Sequence, residues 1–311
     1  HLQKRGRTTV LIDRRGAAEE TSYGNAGLIQ REGIYPYGFP HDFGALVRYA
    51  WNNTIDAHYH PRAVFHLAPF LWTYWWQSRP KRHAEIARSY ATLIEQCVTE
   101  HDALAAEADA TRFIRRNGWI KAFRTTKERD LRLAEAERWN REFGLNHKAL
   151  DAPALQALEP HLAPILIGGL HWTDPTNVND PQGLAKAYLA RFEALGGKFI
   201  AADARSLTQS GGEWSVRAYD GQTITARDAT IALGPWANEI TTPLGYSLPL
   251  AVKRGYHPKG MRLASSPAAQ AQVSWRECSA PLPVPATYSR PARPASSGPS
   301  TVQTPCPPGT L

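Results

Sequence analysis

The stretch TTVLIDRRGAAEETSYGNAGLI, residues 8–29, decides the fold of this chain. Residues 10–12 form a short continuous apolar run, which is typical of a strand covered on both faces. Asp13 ends that strand, and a loop rich in small residues comes after it. An acid at a strand end before such a loop is a combination that holds the ribose and phosphates of a dinucleotide, although no glycine-rich turn precedes it here.

The same stretch contains candidate ligand contacts. Asp13 can accept hydrogen bonds from both ribose hydroxyls of an adenosine. The alternative is structural, because many strands end in Asp for reasons of turn geometry, and the loop could be an ordinary polar turn. The loop residues that offer side-chain hydrogen bonds or a close backbone approach are Ser22, Gly24, Asn25, Ala26 and Gly27.

Composition limits the class of protein. With 311 residues, 42% of them hydrophobic, and ten tryptophans, the chain can bury a sizeable core and form two domains. Its cysteines, Cys97, Cys278 and Cys306, have neither metal-ligand nor CxxC spacing, which favours a reducing compartment. Neither a signal peptide nor an apolar run of about 18 residues is visible. We therefore expect a soluble, cytoplasmic protein.

The net charge of +8 raises the question of nucleic-acid binding. Half of this excess, +4, lies in residues 258–311, where five cations stand against one acid. Before that segment, the charges of both signs are interspersed, and no basic stripe interleaved with aromatic residues occurs. Proteins that bind along a phosphate backbone carry such a stripe, so we expect no nucleic-acid partner.

Both ends of the sequence are unusual. It begins at His1 and its only methionine is Met261, which indicates that the natural start is missing unless a leader was removed. HLQKRG, residues 1–6, is typical of a last helical turn with Gly6 as its left-handed cap. Residues 258–311, rich in Pro, Ser and Ala, predict a disordered tail, which is either natural or, as we prefer, the product of an altered reading frame.

Helix and strand signals alternate between these ends, which predicts an α/β fold. Apolar positions at helical spacing predict a long amphipathic helix over residues 83–110 and another over residues 127–143, stopped by Gly144. Asp180 supplies the N-cap of a third helix, which ends before Gly196. Strands are predicted over residues 198–201, 214–218, 223–226 and 229–233, the middle two joined by a hairpin turn at Asp220-Gly221.

Three stretches together resemble one family. IDRRGAAEETSYGNAGLI, VNDPQGLAKAYLARFEALGGKFIAADARSL and ATIALGPWANEI resemble, in order and spacing, segments of the FAD-dependent oxidoreductases of the D-amino acid oxidase superfamily. Within it, the chain most resembles the bacterial D-amino acid dehydrogenases. The resemblance covers roughly residues 2–257, and three motifs in register are much more specific than any one of them.

The resemblance implies an α/β fold with a Rossmann-like, doubly wound FAD-binding sheet. An α+β substrate domain of antiparallel sheet plus helices would be inserted in it. The implied division is a partial FAD-binding domain at residues 1–45, the first part of the substrate domain with a helical insert at 46–175, and the second part of the FAD-binding domain at 176–240. Residues 241–257 would begin the return to the substrate domain, and 258–311 would form the tail.

The resemblance also implies which residues contact the cofactor. Asp13, with Arg14 beside it, would lie at the adenosine ribose. Ala204 would present its backbone to the adenine, where the family usually has a valine. Gly234 and Trp236 would lie in a turn that returns to the cofactor. The residues implied for the pyrophosphate, ribityl and flavin region are Ser22, Asn25, Ala26, Gly27 and Leu28.

The implied chemistry is hydride transfer from an amino acid to the flavin, followed by hydrolysis of the imine to a keto acid and ammonia. Because the flavin performs the difficult step, no catalytic triad is expected. Oxygen, a quinone or a dye would accept the electrons. The family's GxGxxG turn and its carboxylate-binding arginine have no counterpart in this sequence. We therefore expect an impaired enzyme that binds FAD poorly, or a non-catalytic fragment that does not retain it.

Four positions are candidates for contact with the substrate. His171 and Trp172 fall in a predicted strand of the substrate domain, where the family lines its pocket. Tyr256 and His257, in the segment RGYH, are similar candidates. Simple packing is the alternative for each of them.

Two further segments suggest binding sites. HLAPFLWTYWWQS, residues 66–78, is aromatic enough to favour either peripheral contact with the inner face of the cell membrane or a helix packed on the substrate domain. His58 and His60 resemble a pair of metal ligands, but no third ligand is near in sequence. We expect a solvated loop there and no metal.

Overall fold

The computed structural model describes residues 1–23, 25–52 and 61–250. The predictions made for Gly24, His58, His60, Tyr256, His257 and the tail at residues 258–311 therefore concern positions outside the described residues.

Strands and helices alternate through the described part of the chain. The strands are β1 (Val10–Asp13), β2 (Leu28–Ile29), β3 (Ile114–Arg115), β4 (Trp119–Phe123), β5 (His147–Asp151), β6 (Gly168–Trp172), β7 (Thr176–Val178), β8 (Lys198–Ala201), β9 (Thr208–Ser210), β10 (Glu213–Arg217) and β11 (Thr223–Ala226). The α-helices are α1 (Phe43–Ala50), α2 (Pro61–Gln77), α3 (Pro80–Ile94), α4 (Cys97–Glu107), α5 (Thr126–Phe143), α6 (Ala152–Leu158), α7 (Pro181–Ala194) and α8 (Ala237–Thr241).

The first strand pairs with the strand that comes after α7. β1 and β8 are parallel, with Asp13 opposite Ala201 at the end of the pair. Because both strands run in the same direction, their carboxyl ends meet at one edge, and the two loops that leave them start side by side. A single antiparallel bridge between Ala202 and Ala218 links this pair to the sheet β11-β10-β9, which contains the predicted hairpin.

The other two sheets are antiparallel and have three strands each. In the sheet β2-β7-β3, Leu28 lies opposite Asn177. In the sheet β4-β6-β5, the central strand places Trp172 opposite both Trp119 and His147. A parallel pair combined with antiparallel sheets and packed helices agrees with the predicted mixed fold.

Buried apolar side chains hold these layers together. The first cluster, which includes Ile34, Phe123 and Trp172, lies between the helices α3 and α5 and the sheet β4-β6-β5. A second cluster joins α4 to α7 and β7 through Ala105 and Leu184. Each cluster removes apolar surface from water, which is the main force holding helix to sheet.

The predicted ends of three helical segments are confirmed. Asp180 caps α7, since its Oδ1 accepts a hydrogen bond from the backbone N–H of Gly183 at 2.8 Å. Gly144 ends α5 with φ 63°, in the left-handed region that glycine adopts without strain. Gly6, with φ 74°, ends a short 3-10 turn at Gln3–Arg5.

Three predictions about secondary structure were wrong. Residues 83–110 form two helices, α3 and α4, because Ala91 packs in the first cluster and Ala105 in the second. Residues 229–233 form no strand, since no described strand lies beside them to share hydrogen bonds. β1 is not covered on both faces, because Leu11 is exposed.

Candidate functional site

A groove opens where β1 and β8 end, and we call it the Asp13 groove. It is the edge at which parallel sheets bind their ligands, and it encloses a cavity of about 50 Å³. Four of the residues predicted to bind a cofactor, Asp13, Arg14, Ala204 and Trp236, meet there. The full lining is Ile12, Asp13, Arg14, Glu20, Ala202, Asp203, Ala204, Arg205, Leu233, Trp236, Glu239 and Ile240.

The carboxylate of Asp13 is held in place by the next residues of its own backbone. Its Oδ1 accepts hydrogen bonds from the N–H groups of Arg15, at 2.8 Å, and Gly16, at 3.1 Å. Its Oδ2 accepts none from the described residues. A fixed carboxylate with one oxygen available is suited to accept hydrogen bonds from a diol.

Arg14 crosses the groove. Its Nε and Nη2 donate to Oε1 of Glu20 at 3.0 and 2.7 Å, and these bonds raise the pKa of the guanidinium. Its Cζ also lies 5.2 Å from the centroid of a Trp236 ring, within the range of a cation–π contact. The side chain therefore connects the loop after β1 to the turn before α8.

A second ion pair also belongs to the lining of the groove. Arg205 donates from Nε to Oδ2 of Asp203 at 2.9 Å, and this hydrogen bonding lowers the pKa of the carboxyl. Oδ1 of Asp203 also accepts from the backbone N–H of Arg205 at 2.9 Å. Ala204 is thereby fixed between the two charged residues.

The other residues predicted for the cofactor lie at β2. Oδ1 of Asn25 accepts a hydrogen bond from the N–H of Gly27 at 3.0 Å, and the carbonyl of Gly27 accepts one from Val178 at 2.6 Å. Gly27 has φ 68°, and an added Cβ would collide with the carbonyl oxygen of Val178. The chain can therefore turn into β2 here only with glycine.

The structure does not bring all the predicted cofactor residues into one groove. The Asp13 groove is not lined by Ser22, Asn25, Ala26, Gly27, Leu28 or Gly234. Gly234, with φ 53° and open space beside its Cα, starts the 3-10 turn that carries Trp236 into the groove. The loop between β1 and β2 is anchored on α7 instead, where Lys186 forms a 2.8 Å ion pair with Glu19.

A much larger cavity, of about 1060 Å³, lies beside the first core cluster, and we call it the Trp172 cavity. Its walls come from α3, α5, β4, β6 and the chain after β2. Aromatic side chains and charged groups alternate along it, as in many sites for small polar molecules. Its chemically distinctive lining consists of Glu32, Tyr35, Trp119, Lys121, Arg132, Trp139 and Trp172.

Glu32 is the most unusual group of the Trp172 cavity. It is only 5% exposed, and its Oε1 accepts hydrogen bonds from Nε1 of Trp119 at 2.6 Å and from Gln30 at 2.9 Å. Burial raises the pKa of Glu32, and burial together with nearby Arg132 lowers the pKa of Lys121. Both shifts favour the neutral forms, because a low-dielectric wall disfavours charge.

The two substrate-side candidates on β6 point in opposite directions, as neighbours on a strand do. Trp172 lines the cavity and stacks on Trp139 with ring centroids 5.8 Å apart. His171 is not part of that lining, and its Nε2 lies 2.8 Å from the carbonyl oxygen of Asn117. The structure therefore brings Trp172, and not His171, to the cavity.

Sequence reasoning missed several residues of both regions. Glu20 and Arg205 are polar residues in loops, where nothing in the sequence distinguishes them from solvated groups. Glu20 follows Arg14 by six residues, which is compatible with the ion pair that they form. This spacing of opposite charges is common in sequences, so it does not by itself indicate a pair. Glu32 and Trp119 meet only through the fold, and no local pattern indicates that this acid is buried.

The Asp13 groove suits the ribose of a nucleotide by its chemistry, since its acid has an oxygen available. Its volume of about 50 Å³ is small beside the roughly 300–1,000 Å³ of typical ligand sites. The Arg14 side chain, 5.2 Å from the centroid of a Trp236 ring, lies in the lining of this small groove.

A parallel strand pair with an acid at its carboxyl end is a feature of doubly wound nucleotide-binding folds. The chain belongs to the family described as DAO, FAD dependent oxidoreductase, whose match covers residues 1–295. This confirms the resemblance found in the sequence, and the family is FAD-dependent.

Two curated relatives have amino acid activities in their names. The chain is 27% identical over 260 residues to a D-amino-acid oxidase of Bradyrhizobium diazoefficiens, covering 82% of this chain and 61% of the relative. It is 24% identical over 274 residues to a D-amino acid dehydrogenase of Chromohalobacter salexigens, covering 82% and 62%. The chain thus spans about three fifths of the length of these relatives.

Solved structures confirm the fold. Glycine oxidase from Geobacillus kaustophilus is similar with a TM-score of 0.54 at 18% identity, over 79% of this chain and 54% of that one. Iminodiacetate oxidase from Chelativorans sp. BNC1 is similar with a TM-score of 0.51 at 19% identity, over the same shares of 79% and 54%.

Proposed function

We propose that this chain carries cofactor-binding and substrate-binding parts of an oxidoreductase that deaminates a D-amino acid or a related amine. When bound, FAD supplies the hydride acceptor of the reaction. The substrate becomes an imine, which water hydrolyses to a keto acid and ammonia. The names of the curated relatives support this substrate class.

The observation that carries the proposal is the convergence of Asp13, Arg14, Ala204 and Trp236 on one groove at the carboxyl ends of two parallel strands. In this proposal Asp13 accepts the ribose hydroxyls, and Ala204 offers its backbone to the adenine. Gly234 belongs to the same turn as Trp236. The residues proposed for the pyrophosphate, ribityl and flavin region are Ser22, Asn25, Ala26, Gly27 and Leu28.

The Trp172 cavity is the proposed place of the substrate. Its aromatic walls at Trp119, Trp139 and Trp172 would exclude water from the reacting carbon. Arg132 also lines the cavity, and its Nη1 donates to Oε2 of Glu135 at 2.8 Å. Tyr256 and His257, which lie outside the described residues, stay candidates for the same side. His171 stays a substrate-side candidate, and it lies on the face of β6 opposite to Trp172.

The test is a titration of the protein with FAD, monitored by flavin fluorescence. Asp13→Asn keeps an oxygen for the backbone N–H groups of Arg15 and Gly16 but replaces a ribose acceptor by a donor. A lost hydrogen bond to a charged group costs about 1.5–3 kcal/mol, so affinity should fall roughly tenfold to a hundredfold.

Asp220→Asn is the matched control, because its Oδ1 also accepts from a backbone N–H two residues on, that of Gln222, at 2.9 Å. It lies in the hairpin and should leave FAD affinity unchanged. Equal FAD affinity of Asp13→Asn and wild type would contradict the ribose assignment.

Dye reduction and oxygen uptake with a panel of D-amino acids, in the presence of added FAD, then test the substrate class and distinguish the electron acceptors.

A second candidate is a non-catalytic polypeptide that does not retain FAD. The small volume of the Asp13 groove favours it, since Arg14 lies beside Trp236 and the cavity holds only about 50 Å³. The absorbance spectrum of the purified protein separates the two candidates. A flavin band near full occupancy would exclude the second.

The proposed location is the cytoplasm, with contact at the inner face of the cell membrane. The electron acceptor is then a quinone or oxygen. Reduction of a water-soluble quinone under anaerobic conditions would identify a quinone, and a requirement for oxygen would identify oxygen.

A further inference from the structure

Lys121 lies on the apolar face of a sheet. Alternate residues of β4 point to the same side, so Lys121 shares a face with Trp119 and Phe123. It lies opposite Leu170 of β6, and Trp172 is the next residue of β6 on that face. All four neighbours belong to the first core cluster or pack against it. Lysine rarely occupies such a position unless it is paired.

The amine of Lys121 has no partner in the part of the chain that the structure describes. It forms neither a hydrogen bond nor an ion pair there, although the charges of Glu128 and Glu135 on α5 act on it. Glu135 is paired with Arg132 instead, since its Oε2 accepts from Nη1 of that arginine at 2.8 Å. Because Lys121 lines the Trp172 cavity, its amine is available to a molecule bound there.

The surroundings of Lys121 favour the neutral amine. Burial lowers the pKa of Lys121 and the charge of Arg132 lowers it further, while Glu128 and Glu135 act in the opposite direction. A neutral amine keeps the lone pair that attacks a carbonyl carbon, and an ammonium does not. A lysine that is desolvated beside a second cation is therefore a nucleophile suited to Schiff-base formation.

The charges of the Trp172 cavity indicate the kind of carbonyl compound. Three arginines line it, and two of them are paired, Arg88 with Glu142 and Arg132 with Glu135. The third, Arg138, is exposed and forms no ion pair with any described residue. A free guanidinium is complementary to a carboxylate. A compound with both a carbonyl and a carboxylate, such as a 2-oxo acid, therefore suits this cavity.

We propose that Lys121 is a Schiff-base lysine that binds small 2-oxo acids covalently in the Trp172 cavity, with Arg138 at their carboxylate. Nζ adds to the carbonyl carbon, and the adduct then loses water, so that a C=N bond replaces the C=O bond. In the net reaction the neutral amine gives its two hydrogens to that water, and no oxidant or reductant is needed. Only the choice of a 2-oxo acid rests in part on the proposed function, whose product is a keto acid.

The experiment traps the imine in the full chain with glyoxylate and sodium cyanoborohydride at neutral pH. Reduction adds one carboxymethyl group to the reacting lysine, and peptide mass spectrometry locates it. Lys121 should be labelled several-fold faster than Lys148, an exposed lysine on β5 whose side chain lies on the other face of the same sheet. Its rate should also saturate with glyoxylate, because a complex in the cavity precedes the reaction.

Two pairs of variants separate the amine from the carboxylate contact. Lys121→Met should remove the fast, saturable part of the labelling, and its control Lys148→Met should keep it. Arg138→Gln should raise the half-saturating glyoxylate concentration several-fold. Its control is Arg141→Gln, an exposed position on the next turn of α5 that does not line the cavity, and this variant should behave like wild type.

Formaldehyde is the matched reagent without a carboxylate. It should label Lys121 at the same rate in Arg138→Gln and in wild type, because Arg138 acts only on the carboxylate. Circular dichroism verifies that each variant is folded. The labelling uses neither FAD nor an amino acid substrate, so a failure of the proposed function would leave its result unchanged.

Three results would overturn the proposal. The first is equal labelling rates of Lys121 and Lys148. The second is a rate at Lys121 that rises linearly with glyoxylate and does not saturate. The third is an unchanged half-saturating concentration in Arg138→Gln.

Discussion

Arg14 and Trp236 meet across the Asp13 groove, with the guanidinium carbon 5.2 Å from the centroid of an indole ring. Glu20 accepts two hydrogen bonds from the same guanidinium, which fixes its direction. A cation over the face of an indole ring is attracted by the negative charge density of that face. The contact thus joins, in the lining of the groove, two segments that are far apart in sequence.

The Arg14–Trp236 contact can be measured by a double-mutant cycle. We expect Arg14→Met and Trp236→Leu to show a favourable coupling in the free energy of unfolding, because either change alone removes the whole contact. Urea denaturation of the four proteins provides the values. Strict additivity of the two changes would mean that the contact contributes nothing.

The buried carboxyl of Glu32 should make stability depend on pH. Burial raises its pKa above the ordinary 4.5, so the folded protein keeps a proton that the unfolded chain releases. Stability from this group is present below the unfolded value of 4.5 and is lost as the pH rises through the folded pKa. Glu32→Gln cannot lose a proton, and its free energy of unfolding should fall less than that of wild type as pH rises.

The contribution of Asp203 to stability should depend on pH in the opposite direction. Hydrogen bonding from Arg205 lowers its pKa below the ordinary 3.8, so its contribution is present above that value and is lost as the pH falls through the folded pKa. Asp203→Asn should therefore lose less stability than wild type on acidification. Urea midpoints measured across the acidic range test both carboxyls, and parallel curves for variant and wild type would contradict either assignment.

The hydrogen bond from Trp119 to Glu32 can be removed by a substitution that keeps an aromatic ring at position 119. Trp119→Phe takes away the Nε1 donor, which lies 2.6 Å from the carboxyl, and should cost about 1–3 kcal/mol of stability. Trp139→Phe is the control, because its buried Nε1 has no hydrogen-bond partner in the described part of the chain. If the two variants lost equal stability, the hydrogen bond would not be the cause of the loss in Trp119→Phe.

Gly27 should tolerate no side chain. Gly27→Ala would place a Cβ against the carbonyl of Val178 at a left-handed φ of 68°. Gly211→Ala has a similar φ of 59° but open space, so it carries only the conformational cost. We expect the first variant to be less stable than the second by about 2 kcal/mol or more in thermal or urea unfolding. Equal losses would show that the collision with Val178 is relieved.

Short local sequence patterns, such as helix caps, predicted part of the fold correctly. The N-cap at Asp180 and the glycine at Gly144 act through neighbouring backbone groups, so they were readable without the fold. The groove residues Asp13, Arg14, Ala204 and Trp236 were proposed from the resemblance, and the structure brings them together. Their role toward FAD stays a prediction.

Predictions that depended on distant partners failed or were not made. Residues 229–233 have the apolar composition of a strand, but a strand also needs a neighbour to share its hydrogen bonds. The helical spacing over residues 83–110 did not indicate that α3 and α4 would pack in different clusters. Burial of Glu32 depends on Trp119, which is 87 positions away.

The sequence by itself determined the parallel strand that ends in Asp13, the capped helix α7 and the family to which the chain belongs. Each of these depends on residue types at short and regular spacing, where a hydrogen bond or an apolar stripe has a local cause. Only the tertiary structure decided that Arg14 meets Trp236, that Glu32 is buried and that α2 exposes tryptophans. Burial and long-range contact depend on how separate elements pack, and no local pattern encodes the neighbour that a side chain finally meets.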